Sequence, residues 1–262
     1  MAYIYALSDI HGHLDIFRET LKNVDLESKN NKLILLGDYI DRGDKSCETL
    51  YFIKQLCEKY PGKVIPLLGN HEVMFLEDLN SLYPDGEFSE IIKYISEDEY
   101  NAISKKCENV SNELTKMCMI YKYVTDLIKS KHKTLIAWLR KLPLYYETED
   151  QIFVHAGIDE EAEEYWKVGT SEEYFTWKYP PVFGTFYKDI IAGHTHTSEI
   201  ANDKDFHSVY WDRQSHFYID GATVISKFIP LLKYDIIAKE YSSFEKVTQD
   251  DGSFVWREYA IK

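Results

Sequence analysis

The chain opens with Tyr3-Ile-Tyr-Ala-Leu-Ser-Asp-Ile-His-Gly12, in which a short apolar run leads into an acid and an imidazole. The run from Tyr3 to Leu7 predicts a β-strand that stops at Asp9. Because side chains alternate along a strand, Asp9 and His11 are expected to face the same way. A carboxylate and an imidazole that point together can share a metal ion, although the same residues also occur in an ordinary capping turn. The weight of this pair depends on the clusters that follow it.

Two further short strands end in polar clusters. The strand Leu33–Leu36 runs into Gly37-Asp-Tyr-Ile-Asp-Arg-Gly43, and the strand Lys63–Leu68 runs into Gly69-Asn-His-Glu72. Amphipathic helical patterns separate the three strands, so residues 1–72 predict a β-α-β-α-β unit. In open α/β sheets ligands bind at the carboxyl ends of the strands, which is where all three clusters fall.

Residues 77–142 interrupt this rhythm, because they are rich in Glu, Lys, Ser and Asn and carry apolar residues at helical spacing. We interpret them as a helical insertion within one domain that spans residues 1–262. After it, a predicted hairpin delivers His155-Ala-Gly157, and the strand Asp189–Ala192 runs into Gly193-His-Thr-His196.

Short β-rich runs recur from Ser208 to the end of the chain and predict a second, largely antiparallel sheet. Packing it on the first sheet gives an α/β fold, in which two mixed β-sheets form a sandwich flanked by helices.

The bulk composition excludes several classes of protein. A net charge of -14 argues against nucleic-acid binding, since polyanions would be repelled unless metal ions or focused basic residues reversed the local sign. The four cysteines show no C-x-x-C spacing, so neither a thiolate zinc site nor a disulfide framework is indicated. No signal peptide or membrane span is recognised, and a reducing cytoplasm is the expected location.

Candidate metal ligands stand at the ends of the predicted strands: Asp9, His11, Asp38, Asn70, His155, His194 and His196. Carboxylate, amide oxygen and imidazole suit Mn²⁺, Fe or Zn²⁺. Seven ligands are too many for one catalytic ion with an open position. Two divalent ions roughly 3.5 to 4 Å apart, bridged by a carboxylate and a water, fit better.

Taken together, the motifs Asp9-x-His11-Gly12, Gly37 to Gly43, Gly69 to Glu72, His155 to Gly157 and Gly193-His194 resemble those of the PPP branch of the calcineurin-like metallophosphoesterases. The resemblance covers residues 3–76 and 138 to about 225, in the order that this family shows.

The resemblance implies a role for each residue. Asp9 and His11 would bind the first ion and Asp38 would bridge the two, while the second ion would be held by Asn70, His155 and His194. His196 departs from the PPP pattern, but other branches of the superfamily have G-H-x-H with the last histidine on the first metal. It is therefore expected either to bind that ion or to support its ligands.

The resemblance also suggests an acid pair and a phosphate clamp. In the pair, Asp41 would orient and charge the His71 imidazole, which protonates the leaving alkoxide. Arg42 resembles the phosphate-binding arginine of the family. The second such arginine has no counterpart, because no arginine lies between Arg140 and Arg213, and Lys178 could replace it as a point charge.

The resemblance implies a serine/threonine protein phosphatase, with dual specificity as an option, that uses two metal ions, most readily Mn²⁺. A metal-bridging hydroxide would attack the phosphorus of a phosphoprotein or small phosphoester directly. The alternatives within hydrolases are a dinucleoside polyphosphate hydrolase of the diadenosine tetraphosphate type and a small-molecule phosphatase. From another class comes a metal-binding regulatory adaptor, against which Asp41, Arg42 and His71 argue.

Overall fold

The structure is a computed structural model that describes residues 2–81, 83, 88–249 and 251–262. The strands in chain order are β1 (Tyr3–Leu7), β2 (Lys32–Leu35), β3 (Val64–Pro66), β4 (Tyr145–Glu147), β5 (Gln151–Val154), β6 (Asp189–His196), β7 (Tyr210–Trp211), β8 (His216–Asp220), β9 (Leu232–Asp235), β10 (Glu240–Thr248) and β11 (Phe254–Ala260). The α-helices are α1 (Leu14–Thr20), α2 (Ser46–Lys59), α3 (Asn70–Asp78), α4 (Phe88–Ile91), α5 (Glu97–Lys106), α6 (Glu113–Lys131), α7 (Lys133–Leu139), α8 (Trp166–Gly169), α9 (Glu172–Trp177), α10 (Thr197–Ile200) and α11 (Thr223–Ser226). Short 3-10 turns cover Leu21–Asn23, Ile92–Tyr94 and Glu160–Tyr165.

In the described residues, the first sheet comprises six strands in the order β11-β10-β9-β1-β2-β3. Its half formed by β1, β2 and β3 is parallel, as the β-α-β-α-β pattern predicts. The other half is antiparallel, because β9 pairs with the free edge of β1 and is followed by the β10-β11 hairpin. The polar clusters after β1, β2 and β3 therefore lie at one edge of this sheet.

The second sheet, within the same described part of the chain, has five strands in the order β4-β5-β6-β8-β7. Its central strands β5, β6 and β8 are parallel, and β4 and β7 are antiparallel edges. The pairing of β6 with β8 shifts register between Ala192 and His196. Such irregularities re-aim side chains beside active sites, and this one lies at the predicted ligand His194.

The two sheets pack face to face. Strand alternation sends Ile4 and Ala6 of β1 into the core between the sheets, where they meet Phe153 of β5 and Ile191 of β6. The opposite face of β1 carries Tyr5 and Leu7, which pack with the helices on the outside of the first sheet. The predicted α/β sandwich flanked by helices is confirmed.

One expectation about the C-terminal third is wrong. The β-rich runs after Ser208 do not form a separate antiparallel sheet, because β9, β10 and β11 extend the first sheet while β7 and β8 complete the second. The physical reason is that β1 and β6 each had an unpaired edge, and strand edges are stabilised by pairing.

Helices α3 to α7 follow β3 and precede β4 in the chain. Of these, α4 to α7 lie within the stretch predicted to be an insertion. Of that stretch, residues 82 and 84–87 lie outside the described residues. The assignment of residues 77–142 as an insertion within one domain stays a prediction. None of the helices described is long and apolar enough to cross a membrane.

Candidate two-metal active site

The turns after β1 and β2 are held together by backbone hydrogen bonds. The amides of Asp9, His11 and Gly12 donate to the carbonyls of Gly37, Asp38 and Tyr39, at 3.2, 3.0 and 2.8 Å. This ladder continues the parallel sheet beyond its regular strands. It fixes the first two polar clusters relative to each other, so that Asp9 and Asp38 stay in register.

Many of the candidate site residues have left-handed backbone conformations. Positive φ angles occur at Asp9, His11, Asp38, Asp41, Arg42 and His194, between 46° and 67°. This region costs a non-glycine residue of the order of 1 kcal/mol or more, and such residues concentrate where function requires them. The sharp bends turn successive side chains toward one point, which simple strand alternation does not do.

Two glycines make room for the carboxylates. A Cβ atom on Gly193 would collide with the Asp9 side chain, and one on Gly69 would collide with Asp38. The backbone of two other clusters thus closes directly over the acids. A side chain at either glycine would displace a candidate ligand.

The tautomers of two imidazoles follow from their neighbours. The Nδ1 atoms of His11 and His155 lie 2.9 Å from the backbone oxygens of Ile40 and Leu36. A carbonyl oxygen can only accept, so each Nδ1 carries the proton and each Nε2 presents a lone pair. Burial lowers the pKa of His11 to about 3, which keeps this imidazole neutral.

The lone pairs face other acceptors. The Nε2 atom of His155 lies 3.3 Å from Oδ1 of Asp38 and 2.8 Å from Oδ1 of Asn70. The Nδ1 atom of His194 lies 3.1 Å from the same Asn70 oxygen. Rotating the Asn70 amide would direct its N–H groups at these acceptors instead. With the oxygen inward, the converging acceptors fit a divalent cation, and Asp38, His155 and His194 form one group with metal-binding geometry.

Asp38 also belongs to a second group of this kind, with His11 and His71. The Nε2 atom of His11 lies 3.7 Å from Oδ2 of Asp38 and 3.8 Å from Oδ1 of Asp9. One carboxylate oxygen of Asp38 therefore faces each group. This is the arrangement expected of a bridging carboxylate between two ions.

A third buried acid, Asp220, adjoins these ligands and was missed from the sequence. It ends β8, just as the other acids follow strand ends, and that pattern could have identified it. Burial and then the charges of Asp220 and Asp38 raise the pKa of Asp9 well above its usual range. Burial raises the pKa of Asp220 to about 7. Three carboxylates buried together are costly unless cations neutralise them, which again fits a metal centre.

Glu72 is a second residue whose part the sequence did not reveal. It is fully buried and accepts hydrogen bonds from the backbone amides of Asp38, Tyr39 and Gly69, at 2.9, 2.8 and 3.1 Å. Burial, and secondly the charge of Asp38, raise the pKa of Glu72 to about 8, while the amide donors oppose the shift. Glu72 thus pins the turn after β2 to the start of α3, which places Asp38 beside Asn70.

The predicted acid pair is in contact. The Nδ1 atom of His71 lies 2.7 Å from Oδ2 of Asp41, and its Nε2 atom lies 3.8 Å from Oδ2 of Asp38. Burial opposes the charged imidazole, but the hydrogen bond that His71 donates to Asp41 and the charge of the Asp38 carboxylate raise the pKa of His71 to about 9. The two carboxylates thus favour a protonated imidazole, as a general acid requires, although the positive charge of Arg42 opposes it.

The guanidinium of Arg42 stands beside this pair. Its Nη2 atom lies 3.3 Å from Nε2 of His71, and the side chain is exposed. Among the residues that the structure describes, no carboxylate forms an ion pair with Arg42. The guanidinium donors that do not face His71 are therefore available for a phosphate.

Two of the sequence-predicted residues lie outside the contacts just described. The Nε2 atom of His196 lies 3.7 Å from Oδ2 of Asp220, so its metal-binding role stays a prediction. Lys178 is buried, and its ammonium donates to the backbone oxygen of Ile158 at 2.7 Å and to Glu160 at 3.1 Å. Glu160 neutralises that charge locally, and phosphate binding by Lys178 stays a prediction.

Known proteins share this sequence pattern and this fold. A symmetrical bis(5'-nucleosyl)-tetraphosphatase of Nitrosococcus oceani is 29% identical over 171 residues, which cover 64% of this chain and 47% of that protein. The chain thus spans about half the length of the curated relative it matches.

Solved structures agree on the fold. A cold-active protein-tyrosine phosphatase of a Shewanella species has a TM-score of 0.55 at 18% identity, covering 100% of this chain and 81% of that one. A protein serine/threonine phosphatase of Saccharomyces cerevisiae has a TM-score of 0.52 at 14% identity, covering 100% and 80%. The profile of the calcineurin-like phosphoesterases matches residues 2–198, which contain every predicted site residue. This chain belongs to the calcineurin-like phosphoesterase family.

Proposed function

We propose that the chain hydrolyses dinucleoside polyphosphates at a centre of two divalent metal ions, with Mn²⁺ as the first candidate. The observation that carries the chemistry is the Asp38 carboxylate, whose two oxygens face two separate groups of ligands. Asp9, His11 and Asp38 would hold one ion, and Asp38, Asn70, His155 and His194 the other. When bound, such ions act as Lewis acids and lower the pKa of coordinated water.

In this proposal side chains of the protein protonate the leaving group and bind the phosphoryl group. His71, charged and oriented by Asp41, donates its Nε2 proton to the oxygen that leaves phosphorus. Water adds its hydroxyl to phosphorus as that P–O bond breaks, and its remaining proton passes to solvent, from which His71 regains the proton it gave to the leaving group. No phosphorylated enzyme forms. Arg42, exposed beside His71, donates hydrogen bonds to the phosphoryl oxygens and offsets the negative charge that develops on them.

We rank the dinucleoside polyphosphate hydrolase above the serine/threonine phosphatase, which reverses the order expected from the sequence. The serine/threonine phosphatase prediction has less support than its alternative, because the curated relative that aligns with 64% of the chain is a tetraphosphatase. The likeness to solved protein phosphatases lies below 20% identity and speaks for the fold alone. We therefore place dinucleoside polyphosphates first.

A side-by-side assay tests the substrate class. The Mn²⁺-loaded chain is given diadenosine tetraphosphate and a serine phosphopeptide at equal concentrations, and kcat/KM is measured for each. We expect the dinucleotide to be preferred by at least ~10-fold, which corresponds to about 1.4 kcal/mol of transition-state binding. A preference of the same size for the phosphopeptide would restore the protein phosphatase prediction.

The proposed binding of phosphate by Arg42 gives a separate prediction. Replacing Arg42 by Ala should lower kcat/KM for p-nitrophenyl phosphate about 10- to 100-fold, because hydrogen bonds to charged groups contribute about 1.5 to 3 kcal/mol. Arg42→Lys keeps the charge but loses the planar fork, so it should recover only part of the activity. Arg18→Ala, which removes another exposed arginine, is the matched control. Full activity of Arg42→Lys would rule out bidentate binding.

A further inference from the structure

A groove beside the candidate metal ligands is lined by none of the residues assigned to metal binding or catalysis. It has a cavity volume of about 520 Å³, and Leu68, Val73 and Leu144 are its apolar lining residues. Val73 belongs to α3, the helix that begins with Asn70 and His71. Pockets for small molecules span roughly 300 to 1,000 Å³, so the groove can hold a nucleoside.

Trp177 connects this groove to the candidate metal ligands. Its ring packs edge-on against the His194 imidazole, with centroids 6.1 Å apart and planes at 79°. The side chain is nevertheless 42% exposed at the end of α9, and it lines the groove. A large aromatic side chain left this exposed next to a catalytic centre offers a flat surface on which a ring can stack.

Carboxylates set the polarity of the groove. Glu77, Glu172 and Glu173 line it, and all three are exposed. In the described part of the chain, none of them forms an ion pair with a basic side chain. They repel a phosphate but accept hydrogen bonds from an amino group. The groove therefore suits the uncharged end of a substrate whose phosphates lie on the metal side of Trp177.

We infer that the groove binds the adenine base of the nucleotide, which stacks on Trp177 and directs its amino group at the carboxylates. This inference rests on the proposed function and assigns the base-binding subsite of the same reaction. A basic side chain of a phosphoprotein could also pair with the carboxylates, but it would not contact the indole face and the apolar lining residues together. The dinucleotide is therefore the occupant that accounts for all three features.

Binding of adenosine, which has no phosphate, tests the subsite without depending on catalysis. Its Kd for the Mn²⁺-loaded chain is measured by ligand-observed NMR, and its Ki against p-nitrophenyl phosphate by kinetics. We expect competitive inhibition with matching Kd and Ki. We also expect adenosine to bind about two- to tenfold more tightly than inosine, which lacks the amino group, as one net hydrogen bond would give.

Substitution of Trp177 should weaken the binding of adenosine. Trp177→Ala is expected to raise the Kd of adenosine about tenfold, within the ~5- to 150-fold range that stacking on an aromatic side chain provides, whereas Trp177→Phe should retain most of the affinity. Tyr165→Ala removes an aromatic residue that is 77% exposed elsewhere, and it should leave the Kd unchanged. Metal content is measured in every variant, because Trp177 touches His194.

The outcomes separate the two proposals. If p-nitrophenyl phosphate is hydrolysed but adenosine does not bind, or binds Trp177→Ala equally well, the base subsite is wrong and the phosphoesterase centre stands. Competition by a lysine-rich peptide in place of adenosine would assign the groove to a protein substrate. If adenosine binds as expected but no phosphoester is cleaved, the proposed chemistry fails and the subsite stands.

Discussion

Replacing His71 by Asn should lower the turnover of phenyl phosphate by ~10²- to 10⁴-fold, the range that general acid catalysis contributes. The reason is the geometry of the pair, in which Asp41 holds Nδ1 of His71 at 2.7 Å and leaves Nε2 to face the Asp38 cluster. Asparagine keeps a polar side chain of similar size but cannot deliver the proton. Steady-state kinetics with Mn²⁺ measure the effect.

Two controls make this result specific. The loss should be smaller for p-nitrophenyl phosphate, whose leaving group needs less protonation, and larger for phenyl phosphate. Metal content must be compared as well, since His71 lies within one of the two groups that could hold an ion. An equal loss on both esters would contradict the acid role, and loss of an ion would show that His71 acts as a metal ligand.

Replacing Asp38 by Asn should remove at least one ion per chain and lower kcat/KM more than ~100-fold. Changes in residues that merely support metal ligands cost 10- to 100-fold, and the loss of a shared carboxylate should exceed that. Asp38 faces His155 at 3.3 Å through one oxygen and His11 at 3.7 Å through the other. Metal analysis after Mn²⁺ loading and gel filtration provides the measurement.

Asp44→Asn is the matched control, because it makes the same change at an exposed acid a few residues further along the chain. It should keep both ions and full activity. Full metal occupancy in Asp38→Asn would contradict the bridging role, even if activity were lost.

Most of the fold could be predicted from local patterns. The strands β1, β2 and β3 are short apolar runs followed by polar residues, and parallel pairing places their ends at one edge. The pairing of β9 with β1 could not be predicted in this way, since it joins segments more than two hundred residues apart. Local periodicity shows that a segment is a strand but not which edge it joins.

The candidate site residues stay predictions, but the structure brings many of them together. Asp38 and Asn70 can be singled out from the sequence because the spacing of the strand-end clusters is distinctive. Asp220 follows a strand whose place in the second sheet was unknown, so nothing in the sequence linked it to Asp9. The Lys178 contact with Glu160 also depends on packing between distant segments, which sequence spacing does not encode.

Asp38 is proposed to link two metal ions, both of which would be needed for activity. Mn²⁺ is added stepwise to the metal-free chain, and bound metal and p-nitrophenyl phosphate hydrolysis are measured at each step. We expect two ions to bind per chain and activity to rise with the second. Full activity with a single bound ion would overturn the proposed two-ion centre.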